Sequence, residues 1–186
     1  MLCKEKLNPI YKLSTFILSS IFLLTACSSA KPTAKELALI NNPHPHTQAK
    51  IDALIPVALE WYDNVEKMLY AKGRVLSEAE KRQAIQLGVK NPDKIRVVIL
   101  EKFPEPNNQT ENNHIEGARA MGNIILIKPR HKDNSVILCH ELVHTAQIDR
   151  LGLKQFLKRY ALEREILGYS RSLLENEAYA RQQVIE

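Results

Sequence analysis

Apolar residues recur at intervals of three and four in several stretches of this 186-residue chain, the spacing of one buried face of an α-helix. The stretch from Ile51 to Ala71 predicts an amphipathic helix, in which Pro56 either produces a kink or marks the start. Ser77 and Glu80 form a capping-box pattern that begins a second helix, and Gly88 ends it.

The carboxyl-terminal third of the chain is predicted to hold three more helices. Ser135 supplies a capping residue for the first, and its apolar face continues through Ile148. Gly152 interrupts the pattern, after which residues 153–167 and 170–184 each resume the helical spacing.

Two short runs of β-branched and other apolar residues, 95–100 and 123–127, predict buried strands that pair with each other. The segment between them, 103–122, is rich in Asn, Pro and Gly and predicts a loop that could rim a cleft. An extended peptide substrate could add to the edge of this sheet, just before the helix that follows it. The segment fits equally well as a simple connection with no role in binding. The pattern therefore predicts an α+β fold that is mainly helical, with a small sheet.

The amino terminus has the features of an export signal. Residues 1–26 begin with three Lys, continue through an apolar run from Phe16 to Leu24, and end in Leu-Thr-Ala before Cys27. This sequence resembles the bacterial lipobox, which implies cleavage before Cys27 and attachment of lipid to its thiol. The alternative is an uncleaved amino-terminal membrane anchor. Both interpretations place the rest of the chain outside the cytoplasm, in the cell envelope.

The residues after Cys27 predict a location and a tether. Because Ser28 rather than Asp follows the Cys, the outer membrane is favoured if the host has two membranes. Residues 27–46 are polar and Pro-rich and predict a tether, although 35–40 could form a short helix. A single domain is then expected over 47–186.

Charge and cysteine content exclude other classes. The net charge is +5, but no run of Lys or Arg interleaved with aromatic residues indicates nucleic-acid binding. Once Cys3 leaves with the signal and Cys27 carries lipid, only Cys139 remains, so no internal disulfide is expected. Its apolar neighbours predict that Cys139 is a small buried residue.

The strongest chemical signal is the pentapeptide HELVH, which places His140, Glu141 and His144 on the predicted metal helix. Residues four apart lie on one helix face, so both imidazoles can reach one ion while Glu141 stays free. Two imidazole nitrogens suit Zn²⁺, and a third protein ligand would leave one tetrahedral position open for water. Glu141 could then accept a proton from that water.

HELVH, Gln147 and the segment 174–179 together resemble the small gluzincin-type zinc metallopeptidases. The resemblance covers about Asn123 to Gln183 and implies a minimal zincin-like domain with its sheet packed on the HExxH helix. It also implies a third zinc ligand, a Glu in an E-x-x-A pattern on a following helix. Both Glu175 and Glu177 fit this pattern; Glu175 is the expected ligand and Glu177 the substitute.

The resemblance further implies zinc-dependent hydrolysis of peptide bonds in a peptide or protein substrate, with Glu141 as the general base. In many relatives an Asp or Asn after the Ala holds a zinc-bound His, whereas this chain has Tyr179 at that position. A donor should also stabilise the oxyanion that develops on the carbonyl. The candidates for substrate or oxyanion contacts are Tyr169, Tyr160, His131 and Gln147.

Two further functions fit the same residues. The chain could be a non-catalytic, zinc-binding surface lipoprotein, held to the membrane through lipidated Cys27, that acts as a binding module. Glu141 favours an enzyme instead, because a structural zinc site closes its fourth position with a protein ligand and needs no free carboxylate. A hydrolase acting on amide bonds of the cell wall would use the same chemistry as a peptidase.

Overall fold

The structure is a computed structural model, and it describes residues 31–106 and 116–183. The predicted signal peptide, 1–26, and Cys27 lie outside the described residues. Within the described ranges the chain is an α+β fold that is mainly helical, as the hydrophobic pattern predicts. None of the helices in these ranges has the length and apolar character needed to cross a membrane.

The described residues form six α-helices and one four-stranded sheet. The helices are α1 (Ala34–Asn41), α2 (Pro45–Leu69), α3 (Glu78–Gln86), α4 (Ser135–Leu151), α5 (Leu153–Leu167) and α6 (Leu173–Arg181). The strands are β1 (Arg74–Val75), β2 (Arg96–Ile99), β3 (Ala118–Met121) and β4 (Ile124–Ile127), arranged in the order β1-β2-β4-β3.

The predicted pairing of the two apolar strands is confirmed. Strands β2 and β4 are parallel, with Arg96 opposite Ile124, whereas β1 and β3 lie antiparallel at the two edges. The prediction of a loop over 103–122 is wrong for its last residues, because 118–121 form the edge strand β3. A tight turn at Gly122, which adopts a φ of +64°, joins β3 to β4.

Strand β3 carries a buried charge. Arg119 is 2% exposed and forms ion pairs with Glu116 at 2.5 Å and Glu105 at 3.0 Å. Its guanidinium also lies 5.7 Å from the ring centre of Trp61 and 5.4 Å from that of Phe103. These partners compensate the cost of removing the Arg119 charge from water. They allow an arginine, which in a sequence gives no sign of a buried strand, to lie inside β3.

Both faces of the sheet are covered by helices. Met121, Ile124 and Leu126 join the apolar cluster that the sheet forms with α2 and α5. Ile125 and Ile127 join a second cluster with α3 and α4. The helix that carries HELVH therefore packs directly on the sheet, which makes it a rigid support for a site.

Most of the described part of the predicted tether is helical. Helix α1 contacts α5, with Ile40 only 3% exposed and Glu36 paired with Arg171. Helix α2 begins within the same segment, at Pro45, and Pro56 lies in its interior rather than at its start. From residue 34 onwards this segment therefore packs on the rest of the chain.

Helix ends follow local capping chemistry. The capping box of Ser77 and Glu80 is present at α3. Asn134, rather than the predicted Ser135, caps α4 by accepting a hydrogen bond from the backbone of Ile137. Residues 169–171 form a 3-10 turn, so α6 begins after Ser172 instead of at the predicted residue 170.

Candidate metal centre

Helix α4 places the two imidazoles of HELVH on one face, one turn apart. The Nε2 atoms of His140 and His144 lie 3.2 Å from each other, and both side chains are buried. Helix α6 brings Glu175 to the same point, with its Oε2 3.4 Å from the Nε2 of His140 and 3.6 Å from that of His144. The three residues thus form one buried group of potential ligands.

The spacing of these donor atoms fits a small divalent cation. With ligand bonds of 2.0–2.1 Å, two donors on a tetrahedral zinc ion lie about 3.3–3.4 Å apart, close to the three separations found here. The buried Oε2 of Glu175 has no hydrogen-bond partner. A buried carboxylate oxygen without a partner is costly, and a cation held by the three residues would remove that cost.

Amide oxygens orient the two imidazoles. The Nδ1 of His140 lies 3.0 Å from Oε1 of Gln182, and the Nδ1 of His144 lies 2.9 Å from Oε1 of Gln147. The Gln147 amide nitrogen donates to the Leu174 carbonyl at 2.9 Å, which fixes the orientation of that amide. Each Nδ1 therefore donates its proton to an amide oxygen and leaves the lone pair of Nε2 for a cation.

Glu175 is oriented by a tyrosine. The Tyr160 hydroxyl on α5 donates to Oε1 of Glu175 at 2.7 Å. The Tyr160 ring stacks on Phe156 with 5.8 Å between ring centres and meets His144 edge-on. Burial, together with the neighbouring Glu175 carboxylate, raises the pKa of Tyr160 well above its usual value, so the hydroxyl keeps its proton and acts as the donor.

The start of α6 is fixed by Glu163, a fully buried residue of α5. Its Oε2 accepts hydrogen bonds from the Ser172 hydroxyl and from the Leu174 backbone, both at 2.9 Å. The Ser172 hydroxyl in turn accepts from the backbone N–H of Glu175 at 3.3 Å. These contacts set the first turn of α6 and hence the position of the Glu175 carboxylate.

Charges at the site are strongly coupled. Burial acts to lower the pKa of His144, but the electrostatic attraction of the nearby Glu175 carboxylate outweighs it and raises the pKa to about 9. Burial likewise acts to raise the pKa of Glu175, but the imidazoles of His144 and His140 hold it well below its usual value. The group therefore favours an anionic Glu175, the form that binds metal.

Glu141 lies beside this group and is 3% exposed. Burial raises the pKa of its carboxyl group, an effect that the two imidazoles only partly offset. Among the described residues, none forms an ion pair with the Glu141 carboxylate. It is thus next to the potential ligands without being one of them.

The structure separates the two acids that the sequence left as candidate ligands. Glu175 joins the imidazoles, whereas Glu177 points to Arg150 at 2.8 Å and Arg181 at 3.2 Å. The hydrogen bond from Arg150 is the main reason why the pKa of Glu177 falls to about 2. Glu177 reaches the centre only through the amide of Gln147, at 3.1 Å.

Two further residues that the sequence suggested as substrate or oxyanion contacts, Tyr169 and His131, lie in different surroundings. The hydroxyls of Tyr169 and Tyr179 lie 3.1 Å apart, and the Tyr179 ring centre is 4.7 Å from that of His140. His131 is not part of the ligand group, and its Nε2 accepts from the Nε of Arg130 at 3.0 Å.

Sequence patterns did not single out Gln182 or Glu163. No local spacing marks either residue, because Gln182 acts beyond the end of α6 and Glu163 acts from a different helix. Ser172 was detectable, since Ser172-x-x-Glu175 has the spacing of a helix-capping pattern.

Comparisons of the chain with protein-family models, with curated proteins and with solved structures found no match. The chemistry of the site therefore has to be inferred from its own residues.

Proposed function

We propose that this chain is a zinc-dependent hydrolase, a gluzincin-type peptidase that is exported and anchored to the membrane through lipidated Cys27. His140, His144 and Glu175 would hold the cation, and Glu141 would act as general base. The observation that carries the proposal is the convergence of three buried donor atoms, one of which, the Oε2 of Glu175, lacks a hydrogen-bond partner.

When bound, the cation would act as a Lewis acid that lowers the pKa of water and polarises a carbonyl group. Glu141 has a different task, because it follows His140 in the chain and is not one of the ligands. Its carboxylate would accept a proton from the attacking water and pass that proton to the leaving amine.

The pair of hydroxyls on Tyr169 and Tyr179 is the best-placed donor for the developing oxyanion. The Tyr179 ring contacts the His140 imidazole, and both tyrosines are partly exposed. Either hydroxyl can donate to the other, and the one that accepts could direct its own O–H toward a substrate carbonyl.

The burial of the site supports a second candidate, a non-catalytic zinc-binding module. His140, Glu141, His144 and Glu175 are exposed by 1%, 3%, 6% and 1%, whereas a catalytic site must admit a substrate. A structural zinc site, however, closes its fourth position with a protein ligand, and the described group holds three ligands.

Glu141→Gln tests the proposal. Without the general base, hydrolysis of casein or of purified peptidoglycan should fall by about 10²–10⁴-fold, while metal analysis still finds one zinc per chain because the three ligands remain. Glu60→Gln is the matched control, since Glu60 is an exposed residue of α2. It should keep both the zinc and the activity.

The choice of substrate separates the candidate functions. Cleavage of casein supports the peptidase, and cleavage of peptidoglycan alone supports a hydrolase of cell-wall amides. Bound zinc with turnover of neither substrate would favour the binding module. Wild-type protein that holds no zinc under zinc-replete conditions would overturn all three functions.

A further inference from the structure

The two oxygens of the Glu175 carboxylate have different surroundings. Oε1 accepts the Tyr160 hydroxyl at 2.7 Å. Oε2 has no hydrogen-bond partner and faces the two imidazole Nε2 atoms at 3.4 Å and 3.6 Å. One oxygen is therefore engaged away from the ligand group, and the other is directed into it.

This asymmetry matters because a carboxylate can bind a metal through one oxygen or through both. Two imidazoles and one carboxylate oxygen leave one of four tetrahedral positions open. If the second oxygen also bound, the protein would supply four donor atoms and crowd the position that water and substrate need.

We propose that Tyr160 is a positioning residue that restricts Glu175 to coordination through Oε2 alone and so keeps a position on the cation open. This inference rests on the proposed function, since it presupposes that His140, His144 and Glu175 bind a cation.

The surroundings of Tyr160 fit this role. Its ring stacks on Phe156 and meets His144 edge-on, and this packing restricts the movement of the hydroxyl away from Glu175. Glu163 lies three residues further along α5, one turn away, and fixes the start of α6 through Ser172 and Leu174. The same helix thus positions both the hydroxyl donor and the turn that carries its acceptor.

Tyr160→Phe removes the hydroxyl and keeps the ring. The test is the visible spectrum of the protein loaded with Co²⁺, because four-coordinate Co²⁺ absorbs several times more strongly than five-coordinate Co²⁺. Wild-type protein should give the strong four-coordinate spectrum. In Tyr160→Phe the freed Oε1 can also bind, so the visible absorbance should fall severalfold and hydrolysis by the zinc form should fall about 10–100-fold.

Tyr62→Phe is the matched control. Tyr62 is buried in the same apolar cluster as Tyr160, so its substitution tests whether loss of any buried hydroxyl alters the spectrum. Tyr62→Phe should leave the spectrum unchanged. X-ray absorption of the wild-type zinc protein gives an independent measure, and it should show four ligands with a single carboxylate oxygen among them.

The outcomes separate this inference from the proposed function. An unchanged Co²⁺ spectrum in Tyr160→Phe, an equal change in Tyr62→Phe, or two carboxylate oxygens on zinc in the wild type would overturn the role of Tyr160 and leave the metal site standing. If Tyr160→Phe does not fold, as judged by circular dichroism, the X-ray absorption result decides. Wild-type protein that binds neither Co²⁺ nor Zn²⁺ would overturn the proposed function and this inference together.

Discussion

Neutral amides, rather than carboxylates, hold both imidazoles of the candidate centre. Gln147 and Gln182 fix the protons on the two Nδ1 atoms without adding negative charge beside the ligands. The family resemblance places an acidic or amide partner at the position of Tyr179. Here the partner of His140 lies three residues later, at Gln182, and the Tyr179 ring packs against the same imidazole.

Gln182→Leu should weaken zinc binding about 10–100-fold, because His140 then loses the acceptor that orients its ring and holds the proton on Nδ1. The dissociation constant can be measured by competition with a chromophoric chelator. Gln183→Leu is the control, since the neighbouring Gln183 is exposed. Equal affinities for the two variants would show that the Gln182 hydrogen bond does not support the site.

At the scale of elements, the helix α4 that carries HELVH could be predicted from the sequence, whereas the position of Glu175 could not. Both imidazoles of HELVH belong to one helix, so the helical repeat alone is sufficient to predict that they lie on the same face. The choice between Glu175 and Glu177 depends on the residue at which α6 begins, and a contact from α5 sets that residue. Strand β3 escaped prediction for a similar reason, because the partners that allow Arg119 to be buried include the distant Glu105.

Glu163→Ala tests the coupling of α5 to α6. The variant removes the hydrogen bonds that the buried carboxylate accepts from Ser172 and Leu174 and its ion pair with Arg159, so the free energy of unfolding should fall by about 3 kcal/mol or more. Urea denaturation of metal-free protein measures this change. Glu165→Ala is the control; the Glu165 side chain is 35% exposed in a surface ion pair with Lys50, and the expected change is within about 0.5 kcal/mol.

Glu163→Ala should also weaken zinc binding, because the first turn of α6 carries Glu175. The Glu165→Ala control should bind zinc as the wild type does. A Glu163→Ala protein with wild-type stability would contradict the role of Glu163 in starting α6.

At the scale of the whole molecule, the candidate centre joins two elements that are distant in sequence. Helix α4 packs on the sheet, and α6 packs on α4. Without a cation, opposite charges on His144 and Glu175 hold the two helices together at this point. A cation bound by the same atoms would replace that ion pair, so the stability of the fold should depend on both pH and metal.

The sign of the pH dependence follows from the two pKa shifts. The pKa of His144 is raised from 6.5 to about 9, so its contribution to stability is complete below pH 6.5 and is lost as the pH rises through 9. The pKa of Glu175 is lowered from 4.5, so its contribution is present above pH 4.5 and is lost in acid. Metal-free protein should therefore be most stable between about pH 4.5 and 6.5.

With zinc bound, stability should increase rather than decrease as the pH rises above 6.5. Metal binds the deprotonated imidazoles, so its affinity increases as protons leave them. Thermal unfolding between pH 6.5 and 9 is the measurement, with chelator in one series and zinc in the other. A free zinc concentration of 100 times the dissociation constant stabilises the fold by about 2.7 kcal/mol, which corresponds to a rise in Tm of roughly 5–10 °C. Glu175 supplies both the ion-pair partner of His144 and one of the proposed ligands. Glu175→Gln should therefore remove the loss of stability that metal-free protein shows at rising pH, and also most of the stabilisation by zinc. Identical pH profiles with and without zinc would show that the cation does not bind at this group.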